Sequence, residues 1–343
     1  MEDKRNKLKC DEDVYAYISG FFDAEGYIGT SLDKRHKLPA ILLRISIANT
    51  NYEILVKIKK VFSGSISEDV THNSKRMTLH PNWKKSWQWR ISDRSDVRFF
   101  LEKILPYSIV KRQQIKLGLD FLELVKDSKM GKDISLEEQN MRQLISDRLK
   151  YIKDVKYSEE DLRLFDNKIH EKIINTLKVQ NIVHSYVAGF FDGERCIGTI
   201  DHSRNPPTTS LVSSITNTNI EILLKIRSVY GGNMKSIKMS KTHLNYKKEW
   251  GWIMSERSVH KLFLEKIYPY TTVKRQQIEY GLKFLEMTSN SSGKRISQEE
   301  QKIREFLSDK LKELKSSEYT DEEIRIINNN VNNILRCKDR LNI

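Results

Sequence analysis

Two short segments of this sequence end in carboxylates that could carry chemistry. Tyr17–Thr30 is YISGFFDAEGYIGT and Tyr186–Thr199 is YVAGFFDGERCIGT, and the two agree at 9 of 14 positions. Each passes from apolar and small residues to an aspartate and, two residues later, to a glutamate. Carboxylates can hold Mg²⁺, which makes a water molecule nucleophilic and neutralises charge on a phosphate. One glutamate alone would be explained more simply as a solvated helix end, so the duplication makes these acids candidates for metal binding.

The duplication extends over most of the chain. Leu101–Leu124 and Leu264–Met287 agree at 17 of 24 positions. The offset between the copies falls from 169 at the first pair of segments (186 − 17) to 163 at the second (264 − 101), so the second copy is shorter in its middle. We therefore predict an N-terminal unit with a helical extension over 1–160, a helical join over 161–182 and a C-terminal unit with a helical extension over 183–343. Two such units suit a pseudo-two-fold arrangement and a partner with the same symmetry, as duplex DNA has.

Composition limits the classes of function. The 343 residues carry a formal net charge of +14, which favours a polyanionic partner and nucleic acid above others. Apolar runs stay shorter than the roughly 18 residues of a membrane helix, so no membrane partner is expected. Cys10, Cys196 and Cys337 lie far apart without CxxC spacing, which predicts reduced thiols in an intracellular protein. The N-terminus lacks the apolar region of a signal peptide.

The hydrophobic pattern of one unit predicts an α+β fold. Apolar residues alternate over 41–48 and 84–91, as in strands, and recur at helical spacing over 51–62 behind the cap residues NTN. Weaker patterns predict helices over 13–24, 96–105 and 110–125, strands over 27–32 and 65–70, and a further helix over 158–178. Consecutive pairs of strands indicate an antiparallel sheet with helices on one face, in the order αββαββαα.

The polar faces of the predicted strands are the candidate nucleic-acid surface. If Trp87, Trp89 and Ile91 face the helices, the alternate side chains face outward. Arg and Gln on such a face can make bidentate contacts to guanine and adenine. A solvated sheet face is the ordinary explanation, but the net charge and the duplication favour nucleic acid. The candidate DNA-binding residues are Arg44, Lys84, Gln88 and Arg90 in the first unit and His202, Arg204 and Lys247 in the second.

The two motifs resemble those of a known family. ISGFFDAEG (Ile18–Gly26) and VAGFFDGER (Val187–Arg195) resemble the nine-residue motif of the LAGLIDADG homing endonucleases. The NTN segment with its helix and the run PYxxVKRQQ resemble the same family, so the likeness covers about 13–125 and 184–287. It implies a single-chain, two-motif member in which two pseudo-two-fold-related αββαββα units form a β-saddle, with additional C-terminal helices in each half. The motif helices would pack side by side, which would explain Gly20 and Gly189.

The resemblance also implies metal ligands. Glu25 and Glu194 match the acids that bind the metal, Mg²⁺ or Mn²⁺. The carbonyls of Ala24 and Gly193 would be secondary ligands. Asp23 and Asp192 lie two residues before each acid, and we expect them to have structural roles as caps or hydrogen-bond acceptors.

Further catalytic residues follow from the same resemblance. Lys111 and Lys274 match a pocket lysine near the scissile phosphate, which stabilises the charge of the transition state or helps to activate water. Arg112 and Arg275 are alternatives for this role. The resemblance also implies two polar residues in the pocket, Asn49 and Asn217.

The function implied by the resemblance is that of an intron-encoded, site-specific endonuclease. A monomer would bind a long, near-palindromic DNA site and cut both strands across the central minor groove. The alternatives are an intron maturase, which helps its host intron RNA to splice, and a catalytically silent DNA-binding protein. Both acids are retained, which argues against a pure maturase. Asn- and Ile-rich stretches such as IINNNVNNIL indicate an AT-rich genome, and an organelle (mitochondrion or chloroplast) is a common setting for the family.

The residue after each acid differs between the copies. Gly26 follows Glu25, whereas Arg195 follows Glu194. Glycine can take the left-handed conformation at a helix exit without strain, and arginine would pay about 1 kcal/mol if that conformation is needed. Its charge could also compete with the metal for Glu194. We therefore expect two unequal active sites that cut their strands at different rates.

Overall fold

The computed structural model describes residues 11–33, 40–69, 84–126, 135–154, 180–194, 197–202, 208–237, 249–287 and 298–316. They form two compact units. One unit contains 25–154, and the other contains 11–24 together with the described residues from 180 to 316. The predicted join over 161–182 lies almost wholly outside the described residues, as does the helix predicted over 158–178, so these limits stay predictions. Among the described helices, none is long and apolar enough to cross a membrane.

The order of elements predicted from the sequence is confirmed in both copies. The first copy comprises α1 (Asp11–Glu25), β1 (Gly26–Asp33), β2 (Ala40–Asn49), α2 (Tyr52–Phe62), β3 (Ser65–Glu68), β4 (Trp87–Ile91), α3 (Arg94–Ile104), α4 (Arg112–Leu124) and α5 (Leu136–Asp154). The second comprises α6 (Gln180–Gly193), β5 (Ile197–His202), β6 (Thr208–Asn217), α7 (Ile220–Tyr230), β7 (Asn233–Ser236), β8 (Trp250–Met254), α8 (Arg257–Ile267), α9 (Arg275–Met287) and α10 (Gln298–Ser316).

Each unit contains a four-stranded antiparallel sheet. The strand orders are β1-β2-β4-β3 and β5-β6-β8-β7. One face of each sheet is buried, and the tryptophans at its centre, Trp89 and Trp252, are both fully buried. Ile45 and Ile47 of β2 are buried with Trp89, while Arg44 on the same strand is exposed, as the period of two predicts. The α+β class is therefore confirmed.

Polar caps determine where the helices behind the sheets begin. The Asn51 side chain accepts a hydrogen bond from the amide of Ile54, and the Asn219 side chain accepts one from Glu221. The last strand of the first sheet is shorter than predicted and begins at Trp87 instead of at residue 84. Its pairing with β2 ends at Asn49, where the neighbouring strand itself ends, so no ladder remains for the earlier residues.

The C-terminal helix of each half is attached near the beginning of the second strand of its sheet. Arg142 of α5 is 2% exposed, pairs with Glu138 and donates to the carbonyl oxygen of Ile41 over 3.1 Å. Arg304 of α10 makes the same pair of contacts, to Glu300 and to the carbonyl of Thr209. A buried guanidinium with both a carboxylate and a carbonyl partner avoids the cost of an unpaired charge.

Candidate functional site

The helices α1 and α6 that carry the two motifs pack directly against each other through glycine. A Cβ atom at Gly20 would lie 2.0 Å from the carbonyl oxygen of Tyr186, and one at Gly189 would lie 1.9 Å from that of Tyr17. No real Cβ fits at such distances, so the two backbones approach as closely as glycine allows. The predicted close packing at Gly20 and Gly189 is confirmed.

Two reciprocal hydrogen bonds join the same pair of helices. The Tyr17 hydroxyl donates to Asp192 over 2.6 Å, and the Tyr186 hydroxyl donates to Asp23 over 2.7 Å. Both aspartates are buried, at 1% and 2% exposure. The predicted structural role of these aspartates is therefore confirmed. The tyrosines were not singled out from the sequence, although they occupy the same position in both copies and open both segments.

Each glutamate of the motif lies beside an asparagine. The Asn217 amide donates to Glu194 over 2.7 Å, and the Asn49 amide approaches Glu25 at 3.5 Å. The other end of each amide is fixed as well, because Asn217 accepts from the backbone of Asn219 and Asn49 accepts from that of Asn51. With the oxygen held by the backbone, the NH₂ group of each asparagine must point toward the carboxylate. Both carboxylates are half-buried, and the structure thus brings together the predicted acids and polar pocket residues.

In the second copy, hydrogen bonds from charged side chains link the end of α6 to the beginning of α9. The Asp192 carboxylate accepts the backbone amides of Thr272, Val273 and Lys274 over 2.7–3.0 Å, just before α9 begins. The Lys274 ammonium donates to the carbonyls of Phe191, Asp192 and Glu194 over 2.5–2.7 Å at the end of α6. An anion thus lies at a helix N-terminus and a cation at a helix C-terminus, which are the favourable placements for both dipoles.

This geometry gives Lys274 a definite positional role. Its side chain is 9% exposed, and its three contacts match the three donors of an ammonium group. The carbonyl of Gly193, a predicted metal ligand, is not among the oxygens that these contacts use. The contact of Lys274 with a phosphate stays a prediction. To bind the phosphate, the ammonium would have to give up one of its three carbonyl partners. Lys111 in the other unit is half-buried immediately before α4.

The first sheet presents Arg44, Ser46, Gln88 and Arg90 on the face opposite its helices, and we call these four residues the first central patch. The strand register pairs Ser46 with Arg90. Arg90 Nε donates to Gln88 Oε1 over 2.5 Å and the Gln88 amide donates to Ser46 over 3.2 Å, while Arg44 Nε donates to Ser31 over 2.7 Å. These bonds orient both guanidiniums, and among the described residues their terminal nitrogens have no partner. The outward orientation predicted for Arg44, Gln88 and Arg90 is confirmed, whereas Lys84 precedes β4 and lies outside the ladder.

The second sheet carries different chemistry at the equivalent positions, which are Val212, Ser214, Gly251 and Ile253 and which we call the second central patch. The register pairs Ser214 with Ile253, as it pairs Ser46 with Arg90 in the first sheet. His202 lies on the same face and is hydrogen-bonded to Ser210 over 2.7 Å. Arg204 and Lys247, the other candidates, lie outside the described residues.

A cation on this second face was missed by sequence analysis. Lys235 of β7 is exposed, and its stem lies above Gly251, with its Cγ atom 3.4 Å from where a Cβ of Gly251 would stand. Lys235 also lines a cavity of about 340 Å³ together with Ser214, Gly251 and Ile253. Its equivalent in the first sheet is Ser67, so the comparison of the copies gave no signal at this position.

Comparisons with known proteins agree with this architecture. Residues 12–105 match the model of a family described as a LAGLIDADG-like domain. The I-SmaMI LAGLIDADG homing endonuclease bound to cleaved DNA is similar in structure, with a TM-score of 0.62, 16% identity, and 89% of this chain and 97% of that chain covered. I-GzeII in complex with its DNA target gives a TM-score of 0.60 at 14% identity, with 86% of this chain and 97% of that chain covered.

A third structure, the meganuclease I-AabMI bound to uncleaved DNA, gives a TM-score of 0.60 at 16% identity, with 86% of this chain and 98% of that chain covered. The resemblance noted in the sequence is confirmed: the first repeat matches the LAGLIDADG-like family model, and the chain has the fold of LAGLIDADG homing endonucleases of known structure.

Proposed function

We propose that this chain, with a LAGLIDADG-like first repeat and the fold of LAGLIDADG homing endonucleases, is a site-specific DNA endonuclease that hydrolyses both strands of its target. The observation that carries the proposal is the duplicated pair of acid and amide, Glu25 with Asn49 and Glu194 with Asn217. Each carboxylate stands at the end of a motif helix, and the two helices pack together through glycine. One acid per repeat provides one candidate centre for each DNA strand.

The residues around each acid suit a divalent cation. The donors are oxygens only, a half-buried carboxylate and the carbonyl of the preceding residue, Ala24 or Gly193, at the negative end of a helix. Among the described residues, no group of three or more His, Cys, Asp or Glu side chains could hold a metal ion. Mg²⁺ commonly binds through one or two carboxylates together with substrate phosphates, so a sparse site agrees with this ion. One related structure, I-SmaMI with its uncleaved DNA target, was obtained in the presence of calcium ions.

The protein's own residues would position this chemistry. When bound, the ion would supply an activated water and offset the charge that develops on the phosphate. The amides of Asn49 and Asn217 orient the carboxylates, and Lys274 holds backbone carbonyls at the end of α6, including that of Glu194 itself. Preorganised groups of this kind need no rearrangement when charge develops in the transition state.

The open faces of the two sheets would bind the DNA. In the first central patch, Arg44 and Arg90 are exposed, and the Nε of each donates a hydrogen bond to a neighbouring side chain. The two terminal nitrogens of each guanidinium can then donate to the edge of a guanine. The net charge of +14 supports binding to the phosphate backbone, with an affinity that falls steeply as salt increases.

Cleavage selection on a randomised duplex library tests the proposal. The protein is incubated with the library in the presence of Mg²⁺, Mn²⁺ or EDTA, and the cut molecules are sequenced. We expect one long site, near-palindromic except at the positions beneath the two central patches, that is cut on both strands only when a divalent ion is present. A library left intact in every condition, while a control nuclease cuts it, would contradict the proposal. Binding of a unique site without cleavage would indicate the catalytically silent alternative.

A further inference from the structure

The central patches of the two open sheet faces differ in chemistry at equivalent positions. In the first sheet, Arg44 and Arg90 are diagonal neighbours across β2 and β4. The same two positions in the second sheet are Val212 and Ile253, across β6 and β8. A pair of guanidiniums is thus replaced by a pair of branched aliphatic side chains on the same scaffold.

The replacement of Gln88 by Gly251 changes the shape of the second face. Without a side chain at 251, the stem of Lys235 lies over the strand, and the cavity of about 340 Å³ opens beside it. The charge of this face moves to β7, an edge strand, while its centre loses both guanidiniums and becomes concave. At the margin, Ile200 is 49% exposed where the first sheet has Ser31, while Ser210 stands where the first sheet has Leu42, which is 37% exposed, so each margin carries one exposed aliphatic side chain.

We infer that the two sheets read chemically different half-sites, guanine-rich beneath the first central patch and thymine-rich beneath the second. This inference rests on the proposed function, since it concerns how the proposed endonuclease recognises its DNA. Arg is the most common partner of guanine, and Gln pairs with adenine, whereas aliphatic groups contact the C5-methyl group of thymine. Val212 and Ile253 offer no hydrogen bond to any base edge, so the group that they can recognise is the C5-methyl of thymine, which a G·C pair lacks.

Removing thymine methyl groups from the DNA tests the inference without changing the protein. Thymines of the selected site are replaced one at a time by deoxyuridine, and binding is measured in Ca²⁺ or without a metal. Each methyl in contact with the second central patch should contribute about fourfold in affinity, from roughly 0.8 kcal/mol per buried carbon. Deoxyuridine in the half-site beneath the first central patch serves as the matched control and should have no effect.

Reciprocal substitutions provide the second arm. Arg90→Ile should reduce the preference for guanine at one position of its half-site by about tenfold or more, and Ile253→Arg should create such a preference in the other half-site. Val212→Arg serves as an independent variant if Ile253→Arg does not fold, as judged by circular dichroism and thermal melting.

The outcomes separate this inference from the proposed function. If the wild type selects no DNA site at all, the proposed function fails. If a site is selected but deoxyuridine has equal effects in both halves, and neither arginine variant changes the base preference, the endonuclease stands and the inference is overturned.

Discussion

The two repeats keep the same machinery at the ends of their motif helices and differ on the faces of their sheets. Glycine contacts, tyrosine–aspartate bonds and glutamate–asparagine pairs recur in both copies. Of the four equivalent positions in the central patches, only one has the same residue type in both copies, a serine at 46 and at 214. Residues that must meet in a fixed geometry have little freedom to change after a duplication, whereas an open face can diverge at low cost to folding. We interpret the contrast as shared chemistry with separate recognition.

The cores of the repeats differ at one buried position. Ser213 and His260 are hydrogen-bonded over 2.6 Å and fully buried, where the first repeat has the apolar residues Ile45 and Val97. Nδ1 of His260 has no hydrogen-bond partner within the described residues, and burial lowers the pKa of this histidine to about 4. The second core therefore contains a polar pair that the first lacks.

The largest effect is expected where the repeats meet through their glycines. Gly189→Ala places a methyl group 1.9 Å from the carbonyl of Tyr17, and because backbone cannot yield, the change should cost at least about 3 kcal/mol of folding free energy. Urea unfolding followed by circular dichroism measures it. Gly281→Ala is the matched control, because its new Cβ would meet only side chains, the nearest at 3.3 Å. A gain in helix propensity offsets this crowding, so the free energy of unfolding should stay within about 1 kcal/mol of wild type. Equal costs for both variants would contradict the close approach of α1 and α6.

The next effect concerns the pocket lysines. Lys274→Met leaves buried carbonyls at the end of α6 without donors, which should destabilise the protein by about 3 kcal/mol. Lys111→Met should cost less, because Lys111 is half-buried and water can replace its contacts. Thermal or urea unfolding compares them with Lys302→Met, an exposed control expected within about 0.5 kcal/mol of wild type. A stable Lys274→Met variant would show that the carbonyl contacts contribute little.

The buried histidine predicts a pH dependence that belongs to the second repeat alone. The pKa of His260 is lower in the folded state than the usual 6.5, so its contribution to stability is complete above pH 6.5 and is lost as the pH falls toward 4. Between pH 7.5 and 5.0 the loss should be about 2 kcal/mol. The double variant Ser213→Ile/His260→Val imports the apolar pair of the first repeat and should lose that part of the dependence in urea unfolding. If it keeps the full dependence, His260 is not its source.

The smallest effect concerns the residue after the second acid. Arg195 lies outside the described residues, so this prediction rests on the sequence alone. If arginine there costs about 1 kcal/mol at the catalytic centre, the two strands should be cut at rates that differ by about fivefold. Arg195→Gly should bring the two rates together in end-labelled time courses. Equal rates in the wild type would remove the expected inequality.

Much of the fold could be predicted because its pattern is local and occurs twice. Alternation in Ile41–Ala48 and the asparagine cap at Asn51 depend on neighbouring residues, and both were predicted from the sequence. The bonds from Tyr17 to Asp192 and from His260 to Ser213 could not be predicted, since each joins residues that only the tertiary fold brings together.

The contrast between the central patches was available in the sequence but was not used. Aligning WQWRI in the first copy with WGWIM in the second replaces Gln88 and Arg90 by Gly251 and Ile253. Cations are the usual indication of a DNA-binding face, so the sequence draws attention to Arg204 and Lys247 in the second copy instead. The strand register was needed to show that Ile253 occupies the position of Arg90.

Strand-resolved cleavage by the glutamate variants tests the central claim most directly. Wild type, Glu25→Gln, Glu194→Gln and the exposed control Glu286→Gln are compared on the selected duplex in Mg²⁺, with binding measured separately in Ca²⁺. We predict that each of the first two variants loses double-strand cleavage by at least about 100-fold while binding stays within about threefold, and that Glu286→Gln behaves as wild type. Cleavage that survives in both Glu25→Gln and Glu194→Gln would contradict the assignment of the two motif acids as the catalytic centre.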